Sequence, residues 1–313
     1  MDKVACKICG KEFKDRSGLH KHLKVHGLRV AEYYQQEYPR HDLYNGDLIK
    51  FKNKDQYFST DFNSRTNLKM WLKSVPEAEA REYCVKTLKA RKVAKNLVYA
   101  PTQVELRTLM FPPIHYYNMI FDDYYKVCEK IGLKNKHQTF TELITGATYS
   151  KDKYKIYVDT REQLPLEFDW PTEPKALKAG DYALSDPDVT CNCHIERKSL
   201  SDFISTLSVK NFDRFEREIQ RAEKENIYLI VLVEDTLNNA LSFKYLPYIS
   251  KKIRVTPEFI FRNVRLLTQK YPHIQFLFVK DREESSRIIK KIFFSGCIYN
   301  KIDLQLAYDI KKL

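Results

Sequence analysis

The sequence lacks any apolar run long enough to cross a membrane. A transmembrane helix needs ~20 consecutive apolar residues, whereas the longest clear run here is residues 227–233, which is typical of a buried strand. The first ten residues, MDKVACKICG, also lack the apolar core of a secretory signal. We therefore expect a cytoplasmic protein with no membrane partner.

Cysteines and acidic residues are also few. Seven cysteines in 313 residues, two of them in a C-x-x-C near the start, favour metal binding over a disulfide framework. Lys and Arg number 54 against 41 Asp and Glu, so the formal net charge is +13. Because cations that neutralise phosphates release counterions, nucleic acid is the expected partner. The net positive charge is +9 in residues 1–150 and +4 in residues 151–313. This distribution indicates that nucleic-acid binding and catalysis lie in different halves of the chain.

Residues 1–27 carry the ligand spacing of a tetrahedral zinc site. Twelve residues separate the second ligand from the third, and three separate the last two, in the set Cys6, Cys9, His22 and His26. Phe13 and Leu19 fall where such a unit needs apolar residues. The segment resembles the two-Cys, two-His zinc finger, which implies a structural Zn²⁺.

Two functions fit this finger. In a DNA-reading finger the residues facing base edges would be Asp15, Gly18 and Lys21, and Gly18 has no side chain to read with. Residues 1–30 carry eight basic and three acidic side chains, so contact with DNA phosphates, including one through Lys21, is expected. A small protein-docking module is the alternative.

Residues 28–150 have the apolar periodicity of helices, interrupted at Pro101, Pro112 and Pro113. On the helix that begins near Glu77, four lysines recur at every third residue and share one face: Lys86, Lys89, Lys92 and Lys95. A stripe that follows DNA phosphates and an ordinary solvated face both fit this pattern.

Residues 151–313 alternate between apolar strand patterns and helical patterns, which predicts an α/β domain. Three acidic residues fall in or at the ends of these strands: Asp159, Asp181 and Glu196. Lys198 lies two residues after Glu196, so both side chains point to the same side of the strand and can act at one hydrated ion. Asp181 is expected on the partner strand of a hairpin that turns near residues 185–188. Carboxylates suit Mg²⁺ or Mn²⁺, and such an ion with a nearby lysine predicts phosphodiester hydrolysis.

Four sequence blocks, VDTRE, GDYAL, IERKSLSDFISTL and RFEREI, resemble the signature of XPF-type structure-specific nucleases, within the restriction-endonuclease-like PD-(D/E)XK group. The resemblance runs from about residue 154 to 294. It implies a catalytic core of Asp181, Glu196 and Lys198, with Asp159 as a further metal-site residue and Arg197 beside them. It also implies a homodimer paired through the nuclease domain.

The chain departs from that family in two ways. The family's tandem helix-hairpin-helix module is replaced by GCIYNKIDLQLAYDIKKL, which is too short to form one. DNA binding is therefore expected from residues 1–150, and the family's preference for branched DNA carries over less firmly. Cys191, Cys193 and His194 precede Glu196 and fit ordinary strand residues better than a second zinc site.

The sequence thus predicts a restriction-endonuclease-like α/β nuclease domain at 151–313, a zinc finger at 1–27 and a mostly helical DNA-binding or linking region at 28–150. The expected activity is metal-dependent DNA cleavage. A non-catalytic DNA-binding or regulatory protein built on a nuclease scaffold, and a protein-binding adaptor, are the alternatives. The pairing of finger and nuclease points to a viral or mobile-element source.

Overall fold

The computed structural model describes residues 3–51, 56–57, 60–109, 111–139, 150, 153–185, 192–296 and 298–313. The chain forms two compact units: Met1–Arg91 with Leu109–Pro112, and Lys92–Thr108 with Pro113–Leu313. The three-part division made from the sequence stays a prediction. Across the described ranges, no helix has the length and apolar character that a bilayer span requires.

The described helices are α1 (Arg16–His22), α2 (Val30–Glu37), α3 (Arg65–Ser74), α4 (Glu77–Lys95), α5 (Gln103–Arg107), α6 (Ile114–Phe121), α7 (Tyr124–Lys130), α8 (Leu200–Thr206), α9 (Phe212–Lys224), α10 (Leu237–Leu241), α11 (Pro257–Lys270), α12 (Arg282–Phe293) and α13 (Leu304–Asp309). Short 3₁₀ helices cover Leu23–His26, Phe243–Tyr245 and Ile298–Asn300. The strands are β1 (Val4–Ala5), β2 (Glu12–Phe13), β3 (Ile156–Asp159), β4 (Thr172–Lys175), β5 (Tyr182–Leu184), β6 (Cys193–Lys198), β7 (Tyr228–Glu234) and β8 (Ile274–Val279).

In the first unit the finger shares its core with the segment that follows it. β1 and β2 form an antiparallel hairpin, and Leu19 of α1 is buried in one cluster with Tyr33 and Tyr34 of α2. The backbone N–H of Lys7 donates to the Tyr33 hydroxyl at 3.0 Å. His20 is half-buried, and its Nε2 lies 3.1 Å from the Tyr34 hydroxyl. The finger is therefore part of a larger packed body, because its own helix is too short to bury a core alone.

The second unit is built on a six-stranded sheet of order β4-β3-β5-β6-β7-β8. β3 is parallel to β4 and antiparallel to β5, β5 is antiparallel to β6, and β6, β7 and β8 run parallel. This confirms the predicted α/β fold, including the hairpin of β5 and β6; residues 186–191 of its turn lie outside the described ranges. β4 was missed from the sequence because it contains Pro174, which an edge strand tolerates.

Helices cover both faces of β7 and β8, which is why these strands are continuous apolar runs. On one face Phe203 of α8, Phe215 of α9 and Val264 of α11 pack in a cluster with Val231. On the opposite face Ile288 of α12 packs in the cluster that contains Leu232, Leu277 and Leu304. The C-terminal helix α13 thus contributes to the core of the second unit.

An N-terminal segment also belongs to this second unit. The backbone N–H of Gln103, at the start of α5, donates to Oδ2 of Asp303 at 2.7 Å. Burial raises the pKa of Asp303 to about 6, against the lowering effect of the hydrogen bonds from Gln103 and Leu306. The contact between Gln103 and Asp303, 200 residues apart in sequence, joins this segment to the rest of the second unit.

Candidate active site

Asp181 lies at the entry to β5, where a glycine lets the chain pass close to β6. Gly180 has φ +75°, and a Cβ built on it would lie 2.9 Å from the carbonyl oxygen of Ile195. The backbone N–H of Asp181 donates to that same oxygen at 2.7 Å. Glycine is the residue that tolerates both the positive φ and the close approach, so the Gly-Asp pair fixes the carboxylate beside β6.

The Asp181 carboxylate is half-buried and held by one main-chain hydrogen bond. Its Oδ2 accepts from the backbone N–H of Arg197 at 2.7 Å. Burial and the negative charge of Glu196 raise the pKa of Asp181 to about 7, although the Arg197 hydrogen bond acts in the opposite direction. A cation bound beside this carboxylate would stabilise its ionised form.

Glu196 and Lys198 point to the same side of β6, as the alternation of a strand requires. Lys198 Nζ donates to Glu196 Oε1 at 2.8 Å and lies 5.4 Å from the ring centroid of Phe215. Burial lowers the pKa of Lys198, but Glu196 and Asp181 outweigh burial and raise it above its ordinary value. Lys198 is therefore a buried cation at neutral pH.

In contrast, both carboxylate oxygens of Asp159 accept hydrogen bonds from other groups of the protein. Oδ1 accepts from the backbone N–H and Nε of Arg161, and Oδ2 accepts from Nη2 of Arg161 and the backbone N–H of Leu177. Asp159 is buried, with 3% of its surface exposed to solvent. Burial would raise the pKa of Asp159, but these hydrogen bonds lower it overall. Asp159 thus holds the Arg161 guanidinium, and the direct metal contact expected from the sequence stays a prediction.

Arg197 lies between Glu196 and Lys198 in sequence, so its side chain points to the other face of the sheet. There it donates to Glu234 at 2.8 Å and to Glu162 at 3.1 Å. Burial lowers the pKa of Arg197, but the hydrogen bond and the charges of these two glutamates raise it overall. The side chain of Arg197 thus connects β6 to Glu162 and Glu234, while its backbone N–H donates to Asp181. The catalytic role expected for Arg197 stays a prediction.

A cleft of about 210 Å³ lies beside the carboxylates of Asp159, Asp181 and Glu196. It is lined by Asp159, Arg161, Asp181 and Glu196 together with Phe215, Glu218 and Arg221 of α9. Burial and the Glu196 charge raise the pKa of Glu218. Glu218 and Arg221 were missed as site residues, although the sequence block RFEREI marked their helix.

The three predicted metal carboxylates do not form one tight cluster. Among the described residues, a single group of three or more Cys, His, Asp or Glu side chains has all its ligand atoms within 4.8 Å of one another, and it is Cys6, Cys9, His22 and His26. Mg²⁺ keeps several waters and is commonly bound by only one or two carboxylates. Asp181 and Glu196 fit that requirement without Asp159.

The four finger side chains fit zinc. Tetrahedral coordination with ordinary Zn–S and Zn–N bond lengths places neighbouring ligand atoms about 3.3–3.6 Å apart. Cys6 Sγ lies 3.6 Å from Nε2 of His26, Cys9 Sγ lies 3.2 Å from Nε2 of His22, and the two Nε2 atoms are 3.1 Å apart. Burial and the charges of His26 and Lys11 lower the pKa of His22, which favours the neutral imidazole that zinc binds.

Two of the three base-reading positions in the finger have structural roles. Asp15 caps α1 by accepting from the backbone N–H of Gly18 at 2.8 Å. A Cβ on Gly18 would lie 3.3 Å from the Phe13 ring. Lys21 is exposed, so it alone of the three offers a side chain to a partner.

The lysines of α4 differ in exposure. Lys86, Lys89 and Lys95 are exposed, whereas Lys92 is half-buried and its Nζ donates to the carbonyl oxygen of Ile131 at 2.7 Å. The predicted stripe is therefore interrupted at Lys92.

Cys193 and His194 behave as strand residues, as expected from alternation. Cys193 is buried, and His194 Nδ1 lies 2.6 Å from the carbonyl oxygen of Ala179. Cys191 lies outside the described residues.

Three comparisons with known proteins were informative to different degrees, and the family-model match falls within the second unit. Residues 158–292 match the family model of the ERCC4 domain, which confirms the resemblance to XPF-type nucleases carried by the sequence blocks. XPF from Aeropyrum pernix in complex with DNA is 23% identical over 44% of this chain and 62% of that chain, with a TM-score of 0.34. XPF from Aeropyrum pernix in a second structure is 20% identical over 50% of this chain and 68% of that chain, with a TM-score of 0.33. The search of curated proteins gave no match.

Proposed function

We propose that the protein is a divalent-metal-dependent DNA endonuclease that hydrolyses phosphodiester bonds in the cleft beside β6. One observation carries this proposal: the carboxylates of Asp181 and Glu196 line a single cleft, and the Lys198 ammonium lies 2.8 Å from Glu196. The ERCC4 match over residues 158–292 supports the same chemistry.

Asp181 and Glu196 would hold the ion. Mg²⁺ or Mn²⁺ bound there would supply Lewis-acid stabilisation of phosphate charge and an acidified water. Burial and the negative charge of Glu196 both disfavour the ionised form of Asp181. A cation bound between the two carboxylates would offset both effects.

The protein's own cations then act on the phosphate. Lys198 is buried and charged, so it can stabilise negative charge that develops on the phosphoryl oxygens. Arg161 lines the same cleft, and its orientation is fixed by Asp159 on two nitrogens. Nε and Nη2 of Arg161 donate to Asp159 and Leu177, so Nη1 is the nitrogen that would donate to a phosphate. Glu218 can accept a proton, since burial and the charge of Glu196 raise its pKa above the ordinary value.

DNA is the proposed substrate, and the positive charge of residues 1–150 is the proposed source of its binding. The net charge is +13, and Lys21, Lys86, Lys89 and Lys95 are exposed in the finger and in α4. These contacts would be electrostatic and independent of base sequence. A structural Zn²⁺ in the finger and a homodimer through the nuclease domain belong to the same proposal.

The test is cleavage of defined DNA by the purified chain. Supercoiled plasmid and labelled flap, fork, splayed and linear duplexes are incubated with Mg²⁺, with Mn²⁺ or with EDTA. We expect cleavage that requires the ion, that Asp181→Asn abolishes and that Lys198→Ala slows by about 10²–10³-fold, while Lys210→Ala, at an exposed lysine outside the cleft, retains it. Cleavage that persists in both active-site variants would falsify the assignment. DNA binding without any cleavage would favour the non-catalytic scaffold.

A further inference from the structure

A short turn joins the two cysteine ligands of the finger, and we call residues 6–10 the knuckle. The backbone N–H of Gly10 closes this turn by donating to the carbonyl oxygen of Cys6 at 2.7 Å. The backbone N–H of Lys7 instead donates outside the finger, to the hydroxyl of Tyr33 at 3.0 Å. A residue of α2 therefore takes part in holding the turn that carries two of the metal ligands.

The position of Lys7 makes this contact relevant to the metal. Lys7 follows Cys6 directly, and the peptide unit between them is planar. Fixing the N–H of Lys7 therefore fixes the peptide plane next to the backbone from which the Cys6 side chain projects. Tyr33 is 0% exposed, so its hydroxyl is shielded from water. Groups that orient metal ligands in this way commonly change metal affinity by about 10–100-fold.

The side chain of Lys7 contacts the end of the same helix. Its Nζ donates to the carbonyl oxygen of Glu37 at 3.2 Å and lies 4.1 Å from the centre of the Tyr38 ring. A cation is favoured at the C-terminus of a helix, where the last carbonyl oxygens lack helical partners. The backbone and the side chain of one knuckle residue thus both hold α2.

α2 also contacts the helix that carries the histidine ligands. The hydroxyl of Tyr34 lies 3.1 Å from Nε2 of His20, two residues before the ligand His22 on α1. Successive side chains of a helix diverge by roughly 100°, which is how Tyr33 reaches the knuckle while Tyr34 reaches α1. α2 is therefore in contact with both halves of the ligand set.

The core around the finger continues beyond α2. The buried cluster that contains Cys6 and Leu19 extends to Ile49, Phe51 and Tyr57. Gln35 Nε2 donates to the carbonyl oxygen of Phe51 at 2.8 Å, and the Tyr57 hydroxyl donates to that of Tyr38 at 3.0 Å. Chains below about 40 residues usually need a metal or another cross-link to fold. A metal in the finger would thus stabilise a body larger than the finger itself.

We propose that α2 is a structural part of the zinc site: Tyr33 is a positioning residue for the knuckle, and zinc binding and the docking of α2 are one coupled event. Since the binding of a structural metal is linked to folding, loss of zinc undocks α2 and leaves the sheet of the second unit intact. This inference rests on the structural Zn²⁺ of the proposed function, and it is independent of the cleavage chemistry.

Hydrogen exchange of the full chain tests the coupling. It is measured with Zn²⁺ bound and after a chelator has removed the metal. We expect the amides of α1 and of α2 to exchange at least about tenfold faster without zinc, while those of β7, in the second unit, keep their protection. Amides of α2 that stay protected while those of α1 do not would overturn the coupling.

Zinc affinity tests the role of Tyr33. Tyr33→Phe removes the hydroxyl alone and should lower Zn²⁺ affinity, measured by competition with a chromophoric chelator, about tenfold. Tyr124→Phe is the matched control, since Tyr124 is a buried tyrosine of the second unit whose hydroxyl donates to the carbonyl oxygen of Pro101 at 2.8 Å. Its Zn²⁺ affinity should equal that of the natural protein. An unchanged affinity in Tyr33→Phe would overturn the positioning role.

Co²⁺ in place of Zn²⁺ separates positioning from stability. Its visible absorption reports the geometry of the ligand set. Tyr57→Phe removes a hydroxyl from the same core that contacts Tyr38 and not the knuckle. Tyr33→Phe should shift the cobalt bands, whereas Tyr57→Phe should leave them in place even where it lowers affinity. Equal shifts in the two variants, or none in either, would assign Tyr33 to core stability and overturn its positioning role.

The outcomes distinguish the inference from the proposed function. A chain that binds neither Zn²⁺ nor Co²⁺ overturns the structural zinc of the proposed function and the inference with it. Metal binding without the exchange and Tyr33 effects overturns the inference alone. Plasmid cleavage is measured in parallel, and its absence beside both effects overturns the nuclease alone.

Discussion

The backbone N–H of Arg197 donates a 2.7 Å hydrogen bond to Oδ2 of Asp181. Through this contact the strand that carries Glu196 and Lys198 also orients the first carboxylate of the cleft. The side chain of Arg197 meanwhile pairs with Glu162 and Glu234 on the other face. One residue therefore connects the cleft to a buried ion-pair network behind it.

The raised pKa of Asp181 predicts pH-dependent ion binding. A carboxyl with a pKa of about 7 is protonated below that pH and must lose its proton to bind a cation. We expect Mn²⁺ affinity, measured by calorimetry, to fall as the pH is lowered from 8 through 7 to 6, with proton release on binding near pH 6.5. A flat affinity across this range would contradict the prediction.

The raised pKa of Asp181 also predicts that the stability of the fold falls as the pH rises, whereas a salt-bridged carboxylate makes stability rise with pH. Because the folded pKa exceeds the unfolded value, the ionised group destabilises the metal-free fold as the pH rises through 7. Asp181→Asn should raise the melting temperature at pH 8 by roughly 2–6 °C and by less than half as much at pH 5, because the unfolded carboxyl is already ionised there while the folded one is not. Asp202→Asn is the control, since Asp202 is exposed and bonded to the Ser199 cap of α8.

Lys198 is expected to act in the chemical step. Removing its charge with Lys198→Ala should lower the cleavage rate by about 10²–10³-fold, the usual effect of losing one group that stabilises transition-state charge. Mn²⁺ binding should persist, because Asp181 and Glu196 remain. Single-turnover cleavage and calorimetry separate the two effects. A loss of ion binding equal to the loss of rate would assign Lys198 to the ion site.

Asp159 is expected to act through Arg161. Asp159→Asn loses one charged partner of the guanidinium and introduces an amide donor toward it, so Arg161 should lose its fixed orientation. Cleavage should fall about as much as in Arg161→Ala, and the double variant should be little worse than either, since the two act as a unit. Mn²⁺ affinity should change less than in Asp181→Asn. A larger loss of affinity in Asp159→Asn would instead place Asp159 on the ion.

Gly180 is expected to be sensitive to a single methyl group. Gly180→Ala meets both a positive φ and a carbonyl oxygen at 2.9 Å, whereas Gly296→Ala meets the positive φ with nothing within 4 Å. The left-handed conformation alone costs about 1–2 kcal/mol, so Gly296→Ala measures that part. Gly180→Ala should lose more stability in urea unfolding and more cleavage than this control. Equal losses in the two variants would mean that β6 moves to accommodate the methyl group at no further cost.

How far the sequence determined this protein differs between its parts. Local periodicity determined β7 and β8 and helices α9, α11 and α12, because strands and helices buried in a core repeat their apolar residues at fixed intervals. Strand alternation likewise determined that Glu196 and Lys198 share a face. The spacing of Cys6, Cys9, His22 and His26 determined their convergence, since a short hairpin and one helix allow few other arrangements.

Only the tertiary structure decided what surrounds these residues. The Asp159 carboxylate accepts a hydrogen bond from the backbone N–H of Leu177, and α9 places Glu218 in the lining of the cleft. Such contacts join residues far apart in the chain, and hydrogen-bond partners and burial across that separation leave no periodic trace in a single sequence. The sequence thus determined the candidate reacting groups, and the packing decided which of them face the cleft.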